Sequence, residues 1–498
     1  MHRPLGAALT AALSVQIAAP VWAQVTPEDV WQNWQKLGAS YGQALVADSV
    51  VRDGDTLVVS GMSVSMDQDI GKLTGGIDEL RFRDTGNGTV EVTMSDTYRA
   101  DLTLVDSDGK TQTVALSLTQ PGVTIVAGGS ASRTEYTYAA PSVIADLRLS
   151  ESGASLADLD ATLTGLAGTY VFESSASLGV LDTALLIDRL AFSLTADDPE
   201  AGAMVTGALD ALKIASSGSL VGLEAMENLA RAMRDGMTFD AELSYGAGNF
   251  TIDARDAGKA TKVVATNQTG HFRTRLGNGA LRYGAGGTGV TLVLSGDDIP
   301  FPALRIAYGE AAFDVLMPLL RSDQPTDFSL LTRIVDLAVS DDIWAMFDPT
   351  ATLPRDPATF VLDARGKLRL TADLVDDAAM TALGEASPGE IHALDVEELQ
   401  VTFAGAELTG SGALTFDNSD VTTFDGVPAP TGKIDLMIRG GNGLLDRLVA
   451  MGIVPQDQVM GARMMIALLA KPGEGEDVLN SALEFRDKGF FANGQRLK

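Results

Sequence analysis

The sequence predicts a β-rich α+β fold: a long, twisted antiparallel sheet with a few helices packed on one face, and a C-terminal unit of strands, helices and a hairpin. Three observations carry this expectation. Apolar and polar residues alternate in long runs from Val50 onward, the two-residue period of a half-buried strand. Asp53-Gly54, Asn87-Gly88 and Asp108-Gly109 separate successive runs, and these dipeptides accept the left-handed angles of tight hairpin turns. Only a few stretches carry apolar residues three and four apart, the spacing of a helix.

Composition narrows the class further. The chain has 498 residues, of which 45% are hydrophobic, enough for a folded core despite a formal charge of −30. So acidic a chain is a poor partner for nucleic acid or an anionic membrane, both of which select clustered Lys and Arg. There is no cysteine, which excludes disulfides, thiolate chemistry and a cysteine-linked lipid anchor. Arg3, an apolar run from Leu5 to Ala19 and the small-residue site Val21-Trp22-Ala23 read as a secretory signal at residues 1–23, cleaved after Ala23. A periplasmic protein without a transmembrane segment is therefore expected. The remainder divides into residues 24–300 (a first helix and β-rich domain), 301–350 (a helical joint) and 351–498 (a sheet-and-helix domain).

The elements follow in order. Thr26-Pro27-Glu28-Asp29 is a helix start, and Val30, Trp31, Trp34, Leu37, Tyr41 and Leu45 fall on one face, where the tryptophans serve core packing rather than ligand stacking. Strands extend from Val50 to about Thr195, rich in small residues. Leu223, Met226, Leu229, Ala230 and Met233 form a helical stripe closed by Gly236, and hairpins then resume. In residues 301–320, Leu304, Tyr308, Ala311, Val315 and Leu319 predict a buried helix ended by Pro318. Residues 327–341 favour a strand. Ser340, Asp341 and Asp342 then start a short helix carrying Ile343, Trp344, Met346 and Phe347, which Pro349 stops. Pro354 and Pro357 keep the chain extended into a strand at Phe360, Leu362 and Ala364, with a tight turn at Gly366-Lys367 leading to Leu368 and Leu370. Two strands within residues 394–418, one at 432–440, helices around Leu444 to Val449 and Val459 to Leu468, and a hairpin turning at Asp487-Lys488-Gly489 complete the chain.

Chemistry-bearing motifs are sparse. After signal removal only His271 and His392 remain, neither beside a nucleophile motif. His392, Asp395, Glu397 and Glu398 match no standard zinc spacing, and Asp106 to Gly109 lacks the rest of a calcium loop. The glycine run 284–289 lacks the lysine of a phosphate loop. The doublets Asp197-Asp198, Asp297-Asp298, Asp341-Asp342 and Asp376-Asp377 are ordinary in so acidic a chain. No catalytic, cofactor-binding or metal residue is assigned, and no cofactor is expected.

The stretch LPRDPATFVLDARG, preceded by DDIWAMFDP and followed by a tail ending FFANGQRL, resembles the exported bacterial family called domain of unknown function 2125, most strongly over residues 344–497. The tail is also distantly similar to the C-terminal parts of AsmA-like envelope proteins; that likeness implies lipid handling, although the membrane anchor of those proteins is lacking here. Neither resemblance supplies catalytic residues. The expected function is a non-enzymatic structural or binding role in the cell envelope, with a lipid or envelope protein as partner. Small and aliphatic residues at alternating positions suit either a closed core or a trough holding an acyl chain. A hydrolase with paired carboxylates is the rival, distinguished by whether two acids converge in a pocket.

Overall fold

The computed structural model describes residues 24–498 except 41, 69–70, 106–109, 175–178, 197–200, 221–227 and 385. The signal expected at residues 1–23, the turn expected at Asp106–Gly109, the Asp197-Asp198 doublet, and Tyr41, Leu223 and Met226 lie outside the described residues. The 27 strands among the described residues belong to one antiparallel sheet, and each pairs with strands that are close neighbours along the chain. Arg133–Glu151, Ala154–Ser174, Gly179–Ala196 and Ala201–Leu220 form its longest ladders. Ala280–Gly296, Leu304–Pro318, Thr326–Val339, Ala358–Leu370, Gly389–Phe403, Ala406–Asp417 and Ala429–Arg439 continue it, one after another, to the closing hairpin Val478–Arg486 and Gly489–Ala492. Thr326–Val339 pairs directly with Ala358–Leu370, so the ladder passes the proline-rich joint without a break.

The described helices are α1 (Pro27–Ser40), α2 (Leu229–Arg234), α3 (Asp341–Phe347), α4 (Asp377–Leu383), α5 (Gly441–Ala450) and α6 (Gln456–Leu469). Helix α1 begins in a reciprocal cap: the Asp29 N–H donates to Thr26 Oγ1 at 3.2 Å, and the Thr26 N–H donates to Asp29 Oδ2 at 3.0 Å. Its Val30 and Trp31 cover Val59, Leu80, Phe82, Val90 and Val92, and these form the main closed core among the described residues. A smaller cluster of Trp344, Leu353 and Ala404 lies at the other end, where α3 and α5 meet the sheet. Ser340 precedes α3 as expected, but its hydroxyl accepts from the Arg305 N–H at 3.2 Å instead of capping the helix.

Two sequence expectations are corrected. Residues 301–320 are not a helix; Leu304–Pro318 is a strand paired on both sides. The apparent helical spacing comes from two strand phases in succession. Leu304, Ile306 and Tyr308 are apolar at even positions, Ala311, Phe313, Val315 and Met317 at odd ones, and the change falls at Gly309-Glu310. Likewise, Gly366-Lys367 is not a turn but the interior of a continuous strand. The ring of Phe328 and the carbonyl of Ala393 occupy the space that a Cβ at Gly366 would need, so the glycine admits close packing.

The same change of phase recurs from strand to strand. Gly61 (φ 62°), Gly165 (φ 65°), Ala211 (φ 53°), Gly289 (φ 61°) and Asp336 (φ 56°) interrupt long strands in the left-handed region. Beside them, neighbouring rungs divide into collinear halves, as Thr238–Tyr245 with Gly248–Asp256 and Lys259–Asn267 with Thr269–Gly277 do. These positions form a crease along the sheet. At each one the alternation skips a residue, which keeps apolar side chains on one face on both sides of the crease. At 165 the glycine also leaves room for the Asp188 carboxylate on the adjacent strand, and at 289 for the side chain of Gln268, which lies between the two half-strands.

Candidate functional site

The apolar face of the creased sheet is the candidate site. Directly opposed residues in an antiparallel ladder share a face. Leu281, Tyr283, Ala285 and Gly287 oppose Met317, Val315, Phe313 and Ala311. To one side this row continues into Leu276, Thr274 and Phe272, and to the other into Leu330, Thr332 and Ile334, then Ala364, Leu362 and Phe360. Past the crease the same face carries Leu292 beside Ile306 and Ala265. Aromatic rings run across it: Phe272 meets Tyr283 at 5.3 Å, and Tyr283 meets Phe313 at 6.3 Å, both edge to face.

A cavity of about 480 Å³ lies over the crease, lined by Phe250, Ala265, Ala285, Gly287, Val290, Tyr308, Ala311, Phe313 and Ile334 among others. These come from neighbouring rungs and from both sides of the crease, so the apolar face is concave there. The glycines and alanines remove side-chain volume from the floor, and the rings supply the walls. No helix closes this region among the described residues: Phe272, Tyr283 and Phe313 remain 36%, 39% and 40% exposed. Toward the N-terminal edge the face runs beneath the end of α1 into a second cavity of about 520 Å³, bounded by Trp34, Leu37, Leu45, Ile125, Tyr136, Tyr138, Leu166 and Tyr170. Burial pushes the Tyr136 phenol up to about 12, so this wall stays uncharged at neutral pH.

The opposite face is polar. Asp314, only 7% exposed, accepts from Arg273 Nε and Nη2 at 2.9 and 2.7 Å and from Arg282 Nε at 3.1 Å. Burial alone would raise its pKa, but the two guanidiniums outweigh burial and hold the carboxyl below the usual range. Arg275 pairs with Asp240, and Arg333 with Glu310 and Glu398, on the same side of the sheet.

The residues weighed from sequence fall mainly outside the trough. His271 sits on the polar face opposite Gly286, and His392 lies 3.7 Å from Glu390. Of the acids near His392, Asp395 opposes Arg365, Glu397 lies 4.0 Å from Arg365, and Glu398 lies 3.5 Å from Arg333. Glu397, Glu398 and Asp435 do line one recess, together with Lys433 and Lys471, and Asp435 pairs with Lys433 at 2.8 Å. Each acid there faces a cation, an arrangement that serves ion pairing. Asp298 pairs with Lys259, Asp297 accepts from the Ala260 N–H, Asp341 pairs with Arg355, and Asp376 caps α4. Among the described residues, no three metal-ligating side chains converge. The glycine run 284–289 has a different use from a phosphate loop, because Gly286 and Gly287 form part of the cavity floor. The trough residues have no motif of their own, and the skipped alternation around residues 287–290 and 308–311 is the signal that reveals them.

An antiparallel sheet built by successive hairpins, creased along its length, with an apolar face inside and ion pairs outside, defines an open-trough β protein. Residues 228–494 match the family described as "Uncharacterized protein conserved in bacteria (DUF2125)", and the chain belongs to that family. No curated protein matches the sequence.

Proposed function

We propose that this is an exported, non-enzymatic binding protein of the cell envelope that holds an acyl chain, or another extended apolar ligand, along the creased face of its sheet. The observation that carries the reading is the apolar row from Phe272 through Tyr283 and Phe313 to Phe360, continuous across strands and left partly open to water. A contiguous exposed apolar surface is unfavourable unless something covers it, and a flexible hydrocarbon chain fits a narrow apolar groove better than a compact polar ligand does. The lining is mainly apolar, with Arg333 as its charged member, and it selects for the apolar part of the ligand. The AsmA-like resemblance expected of the tail would imply the same ligand class, and the signal expected at residues 1–23 would imply export.

The test is extraction and native mass spectrometry of the purified protein, together with titration by the hydrophobic fluorophore N-phenylnaphthylamine. The reading expects a co-purifying lipid, or saturable probe binding that fatty acid displaces. A protein that carries no lipid and gives no saturable signal would overturn it.

A further inference from the structure

We infer that helix α6 is a bilayer-docking element that lies flat in the headgroup region of a neutral membrane at the C-terminal end of the trough. The inference rests on the trough reading and adds the surface from which the ligand is exchanged. Met460, Met464 and Leu468 recur every four residues, so they form one stripe along the helix, and Met465 flanks it. Their exposures are 62%, 70%, 47% and 58%, and Ile453 in the preceding turn is 50% exposed. The other side of the helix is anchored. Val459 is buried, Arg463 bonds Asn442 Oδ1 at 3.1 Å and Asp446 Oδ1 at 2.7 Å, and Ser481 Oγ and Asn493 Nδ2 donate to the Leu469 carbonyl at 2.6 and 2.9 Å. The helix therefore presents its apolar side outward from a fixed base.

Three features select the occupant. Side chains this exposed present on the order of 500 Å² of apolar surface, short of the roughly 800 Å² per partner of a stable protein interface. A second copy of the chain is thus a poor fit. The stripe residues are uncharged, the exposed Asp457 precedes them on the same side in the first turn, and Arg463, the basic residue of α6, is committed to Asn442 and Asp446, so anionic lipid meets an acid and no free cation there. With 14 residues the helix is about 21 Å long, too short to cross a bilayer but suited to lying in its interface. The last strands bring this stripe to the end of the sheet opposite α1, beside Ser481 on the apolar face, which opposes Leu436. An apolar ligand has its reservoir in a membrane, and this end of the trough is where the two would meet.

Flotation of the full chain with vesicles of phosphatidylcholine and phosphatidylethanolamine tests the inference. Wild type should float. The double variant Met464→Asp with Leu468→Asp should lower the bound fraction about tenfold, since each substitution removes a side chain that would leave water. N-phenylnaphthylamine binding and thermal unfolding should not change, because both positions are exposed. In a second variant, Met464→Trp, tryptophan emission should shift to the blue on adding vesicles. Flotation unaffected by the double variant, absence of flotation, or an unshifted Met464→Trp emission would overturn docking by α6. So would a concentration-dependent dimer in light scattering that the double variant dissolves. Loss of the trough reading alone would appear differently, as vesicle binding intact without probe binding.

Discussion

Single residues at the crease and under the ion pairs carry separable loads. Gly165 combines a left-handed angle with an Asp188 carboxylate where a Cβ would stand, so Gly165→Ala should cost about 1 to 2 kcal/mol from the backbone angle alone, read by chemical denaturation. Gly258, a turn glycine with open space around it, is the control for crowding. Asp314 has its pKa lowered in the fold, so its contribution is present above the unfolded carboxylate value of about 4 and is lost as pH falls through the lower folded value. Asp314→Asn should lower stability at pH 7 by about 1.5 kcal/mol and flatten the acid limb of the stability profile. Both arginines keep much of their side chains in water, which limits the loss. Trp344, 6% exposed and stacked on Phe403 at 6.2 Å, anchors the smaller core; Trp344→Ala should cost about 3 to 5 kcal/mol in the same denaturation experiment. Its role is packing, as expected of it from sequence.

At the scale of elements, helix α1 and the hairpins were legible because each obeys a local rule. The Thr26 cap, the stripe through Val30 and Trp31, and the terminal turn, where Asp487 and Lys488 both adopt positive φ, each depend on neighbouring residues. Leu304–Pro318 was misread for the opposite reason: a left-handed residue or a skipped position changes the strand phase, and its signature is indistinguishable from helical spacing until the partners are known. Gly366 is a similar case, since the reason for the glycine is Phe328 on another strand. The trough itself was legible only as small and aliphatic alternation, which describes a closed core equally well. The open reading is favoured by the partial exposure of Phe272, Tyr283 and Phe313. Ala311→Trp, which places an indole on the cavity floor, should weaken N-phenylnaphthylamine binding by about tenfold while leaving the ladder with Gly287 and Ile334 in place. An unchanged titration would place the probe elsewhere.

For the whole molecule, the fold is a ribbon in which every strand finds its partner nearby in sequence. Such a sheet orders by local extension rather than by long-range closure, an advantage for a chain with so large an apolar face to protect during folding. Its closed cores sit toward the two ends, under α1 and around Trp344, while the crease runs through the long span between them. Length and cross-section are therefore set by different residues. An added hairpin would extend the groove by about 10 Å, two strand spacings, without rethreading anything already in place. A change at Gly289 or Asp336 would alter how sharply the groove folds while leaving its reach alone. Evolution can thus match the protein to a longer molecule or to a bulkier one by independent steps.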